Sequence, residues 1–574
     1  MTRPRPIHRL LAPVLAATFG LALTAAAEAR DGLAGPYLAA RLASQNADYA
    51  SAADFFTRAI AADPTNAAFL QDAIIAEVGR GAMDRAILKA QLLDQLDAKS
   101  QIADMVVLTD LAQRGDFAGA IAALDAGRSS GALVDQLYRA WALVGQGQMS
   151  DATAQFDAVA ASRGLQSFGL YHKALALAAA GDFEGAEQIF SGEAGGPLRA
   201  TRRGIVAHVE ILSQLERNST AIELIDKIVG TGDAEFSAMR DRLAAGETLP
   251  FTVVTSPGDG VAEVYLTVAS AMQGDAADIN TLAFARMAEY LRPKDAEAIL
   301  LGAQILEAQG QYDLAIETYA RVERSDPAFA MAELGRADAL ISAGQTEAAI
   351  EALRQLARAE PDRPDIWSAL GDTFRREERY AEAARAYDAA IASFKTTNEA
   401  QWPVYYTRGI ANEREKNWDA AEADFRKALE LKPDQPQVLN YLGYSYLEMN
   451  TRLDEAMGMI ERAVAARPDD GAIVDSLGWA LYRMGRYPDS VTQMEQAVEL
   501  MPVDPVINDH LGDVYWAVGR KREAEFQWRR ALSFDPEEKE AVRIRRKLEA
   551  GLDAVLEEEG APPLKSVDAA AANH

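Results

Sequence analysis

The sequence predicts an all-α solenoid of about fourteen helix-turn-helix repeats. Three observations predict it. A period near 34 residues runs through both halves of the 574-residue chain. Within each period, two stretches of helical spacing flank a glycine-containing turn, and a proline closes the second stretch. The residues are 49% hydrophobic, ample for a large core, so a wholly disordered chain is excluded.

The elements follow in chain order. Residues 1–29 carry Arg3, Arg5 and Arg9, an apolar run from Leu10 to Thr24, and small residues ending in Ala27-Glu28-Ala29. This is the pattern of an export signal cleaved before Arg30. Leu10 to Ala27 is just long enough for an uncleaved anchor, but Pro13 and the small residues favour cleavage. The mature chain is therefore expected in the periplasm or another exported compartment.

Residues 30–235 read as a degenerate run of roughly six repeats. The phrase Gly115-Asp116-Phe117-Ala118-Gly119-Ala120 returns as Gly181-Asp182-Phe183-Glu184-Gly185-Ala186. Small residues fall at Ala52, Ala86, Ala120, Ala152 and Ala186, in steps of 34, 34, 32 and 34. Residues 236–260 break the pattern, with a β-like Phe251–Thr255 and turn chemistry at Pro257-Gly258-Asp259-Gly260. They are read as an irregular joint. From 261 to 538 the period sharpens, and Ala315, Ala349, Ala383, Ala421, Ala456, Ser490 and Ala524 step by 34, 34, 38, 35, 34 and 34. The long step marks an insertion around Asn398 to Trp402. A charged amphipathic helix over 539–559 caps the end. Residues 560–574, with Pro562-Pro563, read as a disordered tail.

One period reads Trp367, Leu370, Gly371, Phe374, Ala383, Tyr387 and Ala390, and the last reads Leu511, Gly512, Tyr515, Ala524, Trp528, Ala531 and Pro536. On these residues the chain resembles the tetratricopeptide-repeat family over about 33–538. The resemblance implies a right-handed superhelix whose first helices line a concave inner surface. Carried over position by position, it assigns protein binding to Asn440, Tyr444, Asp475, Trp479, Tyr482, Arg483, Asp509, Asp513 and Trp516. Asn440, Asp475 and Asp509 would stack as a polar ladder for the main chain of an extended peptide, with aromatics supplying apolar contact. A clamp for terminal carboxylates is set aside, because Asp475, Asp509 and Asp513 would repel one. The stretch from Leu439 to Trp516 is also similar to tetratricopeptide adaptors of carboxyl-terminal processing proteases. Those adaptors are generally lipoproteins, and this chain lacks the cysteine for lipidation.

Charge and motif content narrow the chemistry. Lys and Arg total 58 against 86 Asp and Glu, a net −28 that repels phosphate backbones and anionic headgroups. Nucleic acid is not expected as a partner, and a membrane only indirectly. With no cysteine and five scattered histidines, no metal or cofactor is expected. Walker, dinucleotide, zinc-protease and nucleophile-elbow motifs are all missing, so no enzyme is expected. The leading expectation is an exported scaffold or adaptor that binds proteins through its groove, bridging an envelope protease and its substrates. The alternatives are an assembly factor for outer-membrane proteins or surface polysaccharide, and an enzyme whose site is not readable from motifs.

Overall fold

The computed structural model describes residues 34–194, 196, 198, 201–228, 233–275 and 279–564. The segment read as an export signal and residues 565–574 of the tail lie outside them. Among the described residues there are 31 α-helices and no strand.

The period has a packing cause. The in-phase residues Ala52, Ala86, Ala120, Ala152 and Ala186, and Ala315 through Ala524, are all at most 1% exposed, because each sits where two helices cross. On the partner helix a glycine admits the opposing side chain. A Cβ on Gly371 would stand 2.6 Å from Tyr387, on Gly409 2.6 Å from Phe425, and on Gly512 2.4 Å from Trp528. The recurring Gly-Asp-Phe phrase is a turn. Gly115 and Gly181 adopt φ of +70° and +89°, ending one helix. Asp116 and Asp182 then cap the next, accepting from the N–H of Gly119 at 2.8 Å and of Gly185 at 2.9 Å.

The chain forms two compact units, divided between Ala352 and Leu353. In unit 1 a helical hairpin, Pro257–Ala271 and Ile279–Leu291, packs on Ala67–Gly79, Gln101–Gln113, Ala132–Gly145 and Gln166–Ala179, the first helices of four successive repeats. These are the helices that would line a groove, so unit 1 fills the inner face of these four repeats with its own chain. Val261, Tyr265, Leu282, Ala283 and Met287 are wholly buried there. Trp141 is also wholly buried, and a Cβ on Gly260 would stand 2.1 Å from its ring. His172 accepts the Trp141 indole N–H at 3.2 Å, and burial holds its pKa down at about 3.

Charged groups lock the hairpin. Arg203 donates to Glu263 at 2.5 Å and to Asp295 at 2.9 Å, and the Tyr171 hydroxyl donates to Glu263 at 2.8 Å. Arg286 pairs with Glu289 at 2.8 Å and reaches the Gly79 carbonyl at 3.4 Å. The hairpin's neighbour, the loop 245–256, differs from its β-like reading. Phe251–Thr255 forms no strand, and among the described residues there is no other strand for it to pair with. Instead Thr252 donates its N–H and hydroxyl to Glu210, and Arg292 donates to the Val253 carbonyl at 2.8 Å. Part of the expected joint is the helix Ala234–Ala244, capped by Asp233.

In unit 2 the insertion is a single 3-10 turn, Glu399–Gln401, held by a capping box between Asn398 and Gln401. The stretch after Pro536, read as one helix, is two: Glu538–Ala550 and Leu552–Glu558. Gly551 breaks it with φ of +84°, and Trp516 lies where a Cβ would be, 2.6 Å away. No described helix is long and apolar enough to cross a membrane.

Candidate functional site

The first helices of unit 2 include Pro436–Glu448, Gly471–Arg483 and Pro505–Ala517, followed by Glu538–Ala550. Because the period is 34 or 35 residues, equivalent positions on adjacent helices stand side by side. All nine residues assigned from the sequence fall on the first three of these helices.

The structure engages the predicted ladder carboxylates within the chain. Lys547 on Glu538–Ala550 is fully buried, and its ammonium donates to both oxygens of Asp509 at 2.8 Å and to Asp513 at 2.6 Å. Asp513 also accepts the Trp528 indole N–H at 2.9 Å. Arg543 lies 3.5 Å from Asp513 and donates to Glu559 at 2.8 Å. Asp509 and Asp513 therefore face a cation rather than solvent. Burial, with Asp513 beside it, raises the pKa of Asp509 against the pull of Lys547. The expected repulsion of a terminal carboxylate is correspondingly offset by Lys547 and Arg543.

Asp475 is likewise buried, with both oxygens 3.1 Å from His510 Nδ1. The imidazole stacks on Trp479, ring centres 4.1 Å apart and 13° from parallel, and Tyr482 stacks on the same indole at 4.8 Å and 15°. Burial lowers the pKa of His510, but Asp475 and then Asp509 and Asp513 outweigh it, so the net shift is upward. Tyr482 is buried, and Trp516 is half-buried, donating to Asp553 at 3.0 Å under Gly551.

The remaining predicted residues leave chemistry open. Arg483 is exposed and shares Glu448 with the Trp479 indole, at 3.4 and 3.1 Å. Tyr444 is half-buried, its pKa raised by burial and then by Glu448 and Asp475. The Asn440 side-chain carbonyl is buried without a hydrogen-bond partner, an acceptor with unmet capacity. Tyr444, Trp479 and Arg483 thus offer aromatic area and one accessible cation, while Asn440 keeps an unmet acceptor out of solvent reach. Among the described residues no three His, Cys, Asp or Glu side chains converge as a metal site.

Sequence reasoning missed His510, Lys547 and Arg543 as partners. The signal was present: Arg543 and Lys547 stand 34 residues after Asp509 and Asp513, and His510 stands 35 after Asp475. The repeat reading stopped at Pro536, one helix short.

The histidines give the two units opposite responses to acid. The pKa of His172 is depressed from 6.5 to about 3 on folding, so its contribution is present above 6.5 and is lost as pH falls. Below pH 6.5 this costs unit 1 about 1.4 kcal/mol per pH unit. The pKa of His510 is raised on folding, so its contribution is present below 6.5 and is lost as pH rises through the higher folded value. Hydrogen exchange at pH 7.5 and 5.5 should show unit 1 amides losing protection and the amides around His510 gaining it. His172→Gln should lessen the first trend, to which the buried His208, its pKa held down at about 4, also contributes, and His510→Gln should abolish the second.

Comparison with known proteins identifies the repeat. Family models described as tetratricopeptide repeat match residues 306–373 and 414–478, and a second such model matches 137–198. A TPR repeat-containing protein of Pseudomonas aeruginosa is 29% identical over 200 residues, covering 34% of this chain and 32% of that protein. Tetratricopeptide repeat protein 37 of Xenopus laevis is 27% identical over 203 residues, 34% of this chain and 12% of its own length. The chain thus spans about a third or less of these relatives. Among solved structures, the APC/C hetero-tetramer Cut9-Hcn1 is similar at 15% identity, over 90% of this chain and 95% of that one, with a TM-score of 0.37.

Proposed function

We propose that this tetratricopeptide-repeat protein is a non-catalytic, exported scaffold that binds an extended segment of a partner protein on the inner face of unit 2. One observation carries the choice of face: the inner face of four successive repeats of unit 1 is filled by its own hairpin, whereas among the described residues the Asn440–Arg483 face of unit 2 carries no such covering element. There, the buried, unpartnered Asn440 carbonyl has to turn outward before it can accept a main-chain N–H of the ligand. Arg483 suits an acidic or carbonyl group, and Tyr444 and Trp479 offer apolar area. The export reading is supported by the composition of residues 1–29. The finer reading, a bridge between an envelope protease and its substrates, rests on the resemblance of Leu439 to Trp516 to protease adaptors.

The test is a crosslinked pull-down of the tagged mature chain from its envelope fraction, read by mass spectrometry. A protease recovered with cell-wall hydrolases supports the adaptor reading. Barrel-assembly or polysaccharide-export components would replace it, and recovery of the chain with an intact N-terminus in the cytoplasm would remove export. For whichever partner is recovered, Asn440→Ala with Arg483→Glu should weaken binding at least tenfold, about 1.4 kcal/mol. Unchanged affinity with an intact fold would discard this face.

A further inference from the structure

We propose that unit 2 carries a self-association surface on its outer side, where the Lys521–Leu532 helix of one copy docks on the Leu453–Ala466 helix of a second copy of this chain. Both are second helices of their repeats, turned away from the inner face. Arg522, Phe526 and Arg529 fall at i, i+4 and i+7 and so share one side of the Lys521–Leu532 helix. Phe526 is 63% exposed, although aromatic side chains of this size are normally covered. Arg522 makes no ion pair among the described residues, and Arg529, exposed, meets only Glu525 at 3.1 Å.

The complement lies two repeats earlier. Exactly two periods, 68 residues, separate each of these positions from Asp454, Gly458 and Glu461. Both carboxylates are exposed and make no ion pair among the described residues. A Cβ on Gly458 would meet no atom within 4 Å, so the surface there is an open notch between two acids. One helix thus presents cation, aromatic ring, cation, and the other presents acid, notch, acid, at the same spacing. Laid side by side in register, Arg522 meets one carboxylate, Phe526 covers Gly458, and Arg529 meets the other. The two stripes occupy equivalent positions on the same side of one unit, both turned outward, so they cannot meet within a copy. At the matching positions the intervening Tyr487–Leu500 helix carries Pro488, Thr492 and Glu495 and no ring. An anionic membrane is the weaker occupant, because a chain of net charge −28 is repelled from it. Since the two patches differ, the contact is heterologous and can propagate.

Sedimentation velocity of the full chain from about 1 to 100 μM should show concentration-dependent association near 50 mM salt that weakens at least tenfold near 500 mM. Arg522→Glu with Arg529→Glu, and separately Asp454→Arg with Glu461→Arg, should each give a monomer with an unchanged circular dichroism spectrum. Mixing the two variants should restore association, because the reversed charges match again. Phe526→Ser should weaken it without altering the salt dependence. A monomer under all conditions would overturn the proposal, as would association indifferent to charge reversal. A monomer that co-sediments with phosphatidylserine vesicles through Phe526 would overturn it in favour of a lipid surface.

Discussion

Lys547→Met is expected to destabilise unit 2 by about 3–5 kcal/mol, the cost of breaking a buried ion pair from one side. Methionine keeps most of the volume and removes only the charge. What remains is two buried carboxylates, with Arg543 at 3.9 Å from Asp509 and 3.5 Å from Asp513 as the nearest cation. The Trp528 indole N–H still reaches Asp513, so Asp509 is the more exposed to loss. Its pKa is already raised by burial and by Asp513, and without Lys547 it rises further. The deficit should therefore shrink as pH falls and Asp509 takes up a proton. Adding Asp509→Asn and Asp513→Asn to Lys547→Met should recover most of the stability, because a neutral cluster no longer needs a counter-charge. Urea unfolding of the single and triple variants at pH 7 and pH 5 measures this. A loss under about 1 kcal/mol for Lys547→Met would mean the carboxylates are solvated and available to a ligand after all.

This cluster shows where the sequence was legible and where it stopped being so. The small and large residues of each crossing, such as Gly512 with Trp528, recur every period, and local spacing reveals them without a structure. Groups one repeat apart, Asp475 with His510 and Asp513 with Lys547, are legible by the same rule, but only once the final helix is counted as a repeat position. Its pattern is charged and follows Pro536, the proline that closes the last repeat, so it reads as a plain cap. The break at Gly551 depends on Trp516, 35 residues away, and has no local sign. The hairpin of unit 1 is harder still. Tyr265 lies 3.1 Å from the Thr109 hydroxyl across 156 residues, and nothing in either local sequence names the other. A solenoid's nearest-neighbour logic predicts each repeat, but it cannot say that a later hairpin returns to cover the inner face of earlier ones.

That hairpin is the subject of the second large effect. Arg203→Met should destabilise unit 1 by about 3–5 kcal/mol, again by stranding buried charge. Arg203 ties three separate pieces together: the Arg202–Gln214 helix, Glu263 on the hairpin, and Asp295 at the start of Ala296–Ala308. Asp295 keeps Arg292 at 3.1 Å, but Glu263, only 2% exposed, keeps just the Tyr171 hydroxyl. The hairpin should therefore be what loosens. Hydrogen exchange should show lost protection across 257–291, with the amides of Gly471–Arg483 unchanged. Adding Glu263→Gln should restore much of that protection, since the amide needs no cation. If instead protection fell evenly over unit 1, the hairpin would be an integral part of its fold with no separate opening. If it fell on the hairpin alone, Trp141 and its neighbours would become accessible on the inner face of unit 1. Partner binding in this variant would then report whether the covered face excludes ligands, and hence why the free groove chemistry lies in unit 2.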